Sequence, residues 1–142
     1  MDIAKLKGKN EKEAYEYCKQ LIVESAQSDK YYGAIDDFAS MLNDSNSYVR
    51  TRGFCLICSQ ARWDKECRIE AVFECMKPLL NDSKPTVVRQ CLKALHEVVL
   101  YCPEMSDKIA DAVKKIDLSR YKDSMSPLIK KDADELLDII GV

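Results

Sequence analysis

One histidine, four glycines, four prolines and one tryptophan are spread over 142 residues. Each scarcity removes something. With His96 as the sole imidazole, neither a Ser-His-Asp triad nor a His-x-x-Glu-His metal motif can be assembled. The four glycines form no phosphate-cradling loop. Hydrolytic and nucleotide-dependent chemistries lack their parts, so the reading is of a protein that is not an enzyme. Few glycines and prolines also disfavour a turn-rich β fold and leave helices. No charge of one sign dominates, with 22 basic against 24 acidic side chains and no polybasic or acidic block. That balance makes nucleic acid an improbable partner. No apolar run is long enough to cross a membrane. The opening "MDIAKLKGKNEKEAYEY" lacks the apolar core of a signal peptide, so the expected location is cytoplasmic.

Cysteine is plentiful by contrast. The seven are Cys18, Cys55, Cys58, Cys67, Cys75, Cys91 and Cys102. Their odd number and a reducing compartment make them free thiols that pack as small apolar side chains. Cys55-x-x-Cys58 lies inside a predicted helix, and Cys67 and Cys75 do not repeat its spacing. No metal site or cofactor is expected from them. His96 reads as a structural histidine. The acidic groups Asp36-Asp37 and Asp132, Asp134, Glu135 read as solvated helix surface.

What the chain does have is repetition. "LNDSNSYVR" at 42–50 returns as "LNDSKPTVVR" at 80–89. Apolar stripes at three-to-four spacing predict helices over about 11–26, 29–42, 47–61, 65–80, 85–101, 104–116 and 126–140. Tyr31, Ile35, Phe38 and Leu42 match Ile69, Phe73, Met76 and Leu80 at a constant offset. Asp64 is positioned to cap the fourth helix, Pro85 opens the fifth, and Gly141 stops the last. A third "Asp-Ser" turn, at Asp123-Ser124, precedes the last helix. Each unit is helix, turn, then a helix beginning apolar-apolar-basic: Tyr48-Val49-Arg50, Val87-Val88-Arg89, Leu128-Ile129-Lys130. A two-helix repeat of about 40 residues predicts an all-α stack. The expected plan is one domain: residues 1–9 flexible, an N-terminal helix over 10–28, and repeats over 29–62, 64–102 and 104–141.

These units resemble HEAT-like repeats, with Asp44…Val49-Arg50 and Asp82…Val88-Arg89 as the matching motif over about residues 29–140. The resemblance implies a short right-handed α-solenoid of about three helix pairs plus the N-terminal helix. It also implies a ladder of Asp and basic side chains along the stack: Asp44, Arg50, Asp82, Arg89, Asp123 and Lys130. "NSYVRTRGFCLICSQARWD" and "DLSRYKDSMSPLIKKD" are further similar to small stand-alone bacterial HEAT-like proteins often labelled "SufBD", a label that implies an accessory role in iron–sulfur assembly.

In such stacks the second helix of each pair lines the concave face. Stepping about 100° per residue from Val49, Val88 and Ile129 gives the outward stripe. It holds Thr51, Phe54, Cys58 and Arg62, then Gln90, Lys93, Glu97 and Tyr101, then Lys131, Asp134 and Asp138. Phe54 and Cys58 are apolar where solvent is expected, which marks either coverage, by the N-terminal helix or by the curvature of the stack, or an exposed partner site. The expected function is a protein–protein interaction module or scaffold whose concave face binds a partner. DNA-glycosylase-like gripping of nucleic acid is the alternative; Arg62, Lys93 and Lys131 would serve it, but Glu97, Asp134 and Asp138 offset them. Polar outer faces on the first and last helices predict a monomer.

Overall fold

A computed structural model describes all 142 residues and contains helices and turns only. The helices are α1 (Ile3–Leu6), α2 (Glu11–Ser25), α3 (Ile35–Ala39), α4 (Ser47–Cys58), α5 (Arg68–Met76), α6 (Pro85–Tyr101), α7 (Ser106–Lys114) and α8 (Ser126–Ile140). α2 packs on α4, α4 on α6 and α6 on α8. On the other side α3 packs on α4 and α5, while α7 packs on α8 and on the 3-10 turn Lys77–Asn81 that follows α5. One apolar cluster runs through all of these contacts, from Leu6 in α1 to Leu136 in α8.

Local chemistry sets the boundaries. Asn10 caps α2 by accepting from the Glu13 N–H at 3.1 Å, and Asn46 caps α4 by accepting from Tyr48 at 2.9 Å. α5 starts at Arg68, later than its apolar stripe predicts, because Cys67 takes a left-handed φ of 56°. Asp64 still caps it from four residues upstream, accepting from the N–H groups of Arg68 (2.9 Å) and Ile69 (3.2 Å). Pro85 occupies the first turn of α6, and Gly141 ends α8 at φ 94°.

Residues 1–9 are not the flexible lead-in expected. Asp2 caps α1, Leu6 is fully buried, and the Tyr17 hydroxyl accepts from the Asp2 N–H at 2.6 Å. The anchor is Arg52 on α4. Its Nε donates to the Leu6 carbonyl at 2.9 Å, and Nη1 reaches both Glu11 oxygens at 3.1 and 3.0 Å.

Consecutive turns are joined by arginine. Arg50 donates Nε and Nη2 to the two oxygens of Asp82 at 2.9 and 3.0 Å. Its Nη1 donates to the carbonyls of Asp44 and Ser45 at 2.9 and 3.2 Å. Asp44 and Asp82 each also accept a backbone N–H two residues on, from Asn46 and Lys84. Arg89 repeats the pairing but reaches Asp132 on α8, with Nε–Oδ2 at 2.7 Å. That bond holds the Arg89 guanidinium charged, raising its pKa.

The ladder expected at Asp123 and Lys130 is therefore corrected. The third turn is longer, and Asp117 rather than Asp123 accepts the N–H two residues on, from Ser119 at 3.1 Å. Asp123 stays exposed without a side-chain hydrogen bond, and Asp132, expected on a solvated surface, is 94 % buried as Arg89's partner (relative exposure 6 %). Arg50 reaches forward to the next turn. Lys130 instead pairs with Asp134 on its own helix at 2.7 Å.

α3 and α4 cross closely at Gly53. A Cβ there would lie 2.8 Å from both the Met41 Cβ and the Phe38 carbonyl oxygen. Gly53→Ala should destabilise the fold by about 1–3 kcal/mol despite alanine's better helix propensity, read as a lower urea midpoint with unchanged slope. Arg50 and Asp82 are largely shielded from solvent. A double-mutant cycle of Arg50→Ala with Asp82→Ala should return a coupling energy of about 1–3 kcal/mol; a value near zero would show that the fork does not hold the turns together.

Candidate binding groove

α2 and α6 stand on either side of α4 and leave a groove between them. Its floor is Thr51 and Cys55 on α4 and Ser59 at its C-terminal cap, spaced four apart and therefore on one face. Thr51 Oγ1 is turned back to the Ser47 carbonyl at 2.9 Å, which leaves its methyl at the surface of the floor. The upper part, about 680 Å³, runs from Lys12 and Tyr15 on α2 across to Lys84 and Val87 at the start of α6. The lower part, about 570 Å³, lies between Ala26 and the Lys93–Glu97 stretch of α6. Ile22, Cys55 and Gln90 line both parts, so the groove is continuous. Tyr15 and Tyr48, 54 % and 61 % exposed, stand at the upper mouth.

The lower end is closed by Arg62. Its Nη1 donates to the Ala26 carbonyl at 2.9 Å, Nη2 lies 3.6 Å from Glu97, and the guanidinium sits 4.8 Å above the Tyr101 ring. Nearby, Trp63 Nε1 donates to the Ser25 carbonyl at 2.6 Å, and buried Gln60 donates to Ser25 Oγ at 2.9 Å. These contacts tie the C-terminal end of α2 to the corner after α4.

The expected outward stripe is met unevenly. Thr51, Gln90, Lys93 and Glu97 line the groove, and Arg62 and Tyr101 are brought together at its end. Lys131, Asp134 and Asp138 are exposed on α8 and line neither part. Phe54 and Cys58 are corrected: they are 0 % and 1 % exposed. α4 is flanked on three sides, so only a narrow stripe stays open. It is centred on Cys55; Cys58 borders the lower part of the groove with almost no exposed surface, and Phe54 lines neither part. An exposed apolar spot at Phe54 is thereby removed.

Sequence reasoning missed α2 as a groove wall and Tyr48 at its rim. The signal was present in the outer face of α2, where Tyr15, Lys19 and Ile22 recur at helical spacing beside the core stripe. Arg52 was also missed; only its burial on α4 reveals it.

Burial governs the thiols. It pushes Cys18 and Cys102 up to about 12 and Cys55 to about 11, and holds Cys58 and Cys91 well above the ordinary range. Cys67 and Cys75 are exposed. No three His, Cys, Asp or Glu side chains converge closely enough to hold a metal ion, and no helix is long and apolar enough to cross a membrane.

No protein-family model matches the chain, and neither a curated protein nor a solved structure does.

In the native protein Cys67 and Cys75 should react rapidly with an aromatic disulfide reagent, half-buried Cys55 on the groove floor more slowly, and the four buried thiols only on unfolding. The folded state keeps the buried thiols protonated, while the unfolded chain ionises them from its ordinary value of 9.0 upward. Between that value and about 11–12 the native state binds more protons, so stability should fall as pH rises. Urea midpoints measured across this range check the sign.

Proposed function

We propose that the chain is a short right-handed α-solenoid of about three HEAT-like helix pairs with an N-terminal helix, acting as a non-catalytic adaptor. It takes a segment of a partner protein into the groove over α4. The continuous groove with two exposed tyrosines at its mouth carries this reading. Large aromatic side chains beside a partly apolar cleft are the usual anchors of protein recognition. The order of packing, α2–α4–α6–α8 on one side and α3–α5 on the other, supports the solenoid. So does the Arg50–Asp82 pairing between successive turns, which is what the HEAT-like resemblance implies. Lys131, Asp134, Glu135 and Asp138 give α8 a polar outer face, which supports a monomer.

Tyr15 and Tyr48 are exposed, so Tyr15→Asp with Tyr48→Asp should leave the thermal midpoint nearly unchanged. Affinity capture from native lysate with wild type and this variant tests the reading. A partner retained by wild type and lost by the variant supports the groove; equal recovery by both removes it as the site. Phe54 is unsuited to this test, because a charge at a fully buried position would disturb the fold.

A further inference from the structure

The groove's charges differ from those of the rest of the chain. Lys12 and Lys19 on α2, Lys84 before α6 and Lys93 within it all line the groove. None of the four has a carboxylate within ion-pair distance, whereas half of the twelve lysines elsewhere do. The two carboxylates in the lining are already engaged: Glu11 holds Arg52, and Glu97 faces Arg62. A chain of net charge −2 thus carries a cationic surplus along one cleft. Buried Arg52 lines the upper part, and its Nη2 has no hydrogen-bond partner.

We propose that the groove's occupant is an acidic amphipathic helix of a partner protein, an inference that rests on the reading of the groove as a protein-binding site. The floor follows α4, whose 12 residues extend about 18 Å, so a helix of about three turns matches it. Bulky apolar side chains on one face of that helix enter between Tyr15 and Tyr48 toward Ile22. Carboxylates on its flanks meet Lys12 and Lys19 on one rim and Lys84 and Lys93 on the other. Beyond the α2 rim lie Glu13, Glu16 and Glu24, so a phosphate backbone leaving the groove on that side runs into carboxylates, which favours a short acidic helix over nucleic acid.

Fluorescence anisotropy with synthetic probes tests this. Three labelled helical peptides of about 14 residues share one Leu/Phe face and carry Glu, Gln or Lys at the polar positions; the fourth probe is a single-stranded DNA of about equal length. The Glu peptide should bind about tenfold tighter than the Gln peptide, and the Lys peptide more weakly still. This advantage should shrink as salt rises from about 50 to about 500 mM. Lys19→Glu with Lys93→Glu should reverse the order. Lys65→Glu with Lys122→Glu, an equal charge change at exposed positions outside the groove, should preserve it. Equal binding of the Glu and Gln peptides overturns the acidic occupant and leaves the protein-binding groove standing. Binding of no peptide overturns both. DNA binding abolished by the Lys19/Lys93 change, with the Glu peptide inert, assigns the groove to nucleic acid and overturns both.

Discussion

The structure turns on one guanidinium. Arg50 grips the carboxylate of Asp82 with two parallel bonds and the carbonyls of Asp44 and Ser45 with its remaining nitrogen. A planar fork can do this because its donors are fixed relative to one another; a lysine would make a single adjustable contact. The bonds join the turn before α4 to the turn before α6, so the two helices start in fixed relation. The spacing of α4 and α6 is one dimension of the groove, and it is set at this point, outside the groove itself.

The other wall depends on a second arginine of the same helix. Arg52 lies two residues on, about 200° round α4, and reaches back to Leu6 and Glu11. One face of α4 therefore holds the following pair and another holds α1 and α2. Gly53 between them lets α3 approach from beneath. Four consecutive residues, Arg50 to Gly53, place three neighbouring elements and contribute Thr51 to the floor. Burying an arginine costs desolvation that is recovered only if its donors are matched. Arg52 matches three contacts and leaves Nη2 without a partner.

Much of this was legible. The helix expected over about 85–101, opened by Pro85, runs from Pro85 to Tyr101. Arg50 and Asp82 were expected to belong to one ladder because the HEAT-like resemblance implies it. Trp63 and Tyr121 bond to the Ser25 and Asp82 carbonyls, more than 35 residues earlier in the chain. The failures share a cause. Phe54 and Cys58 were placed on an outward stripe by rotation about a single helix axis, and Asp132 was read as solvated from its neighbouring carboxylates; neither step takes account of how many neighbours a helix has. α4 has neighbours on most of its circumference, so its open stripe is narrower than a half-exposed helix would show. Asp123 failed differently: the "Asp-Ser" dipeptide recurs, but the third connection is longer and hands the turn to Asp117.

The main packing partners of each helix lie about 40 residues away or closer in the chain. Few distant segments must find one another before structure forms, which favours fast folding through local closure. The same topology distributes stability unequally. α4 and α6 are flanked on both sides, whereas α1 and α8 have neighbours on one side only. Opening by transient local unfolding should therefore begin at the ends, and α2, the wall next to one end, gains or loses its order with the short α1 segment that Arg52 holds in place.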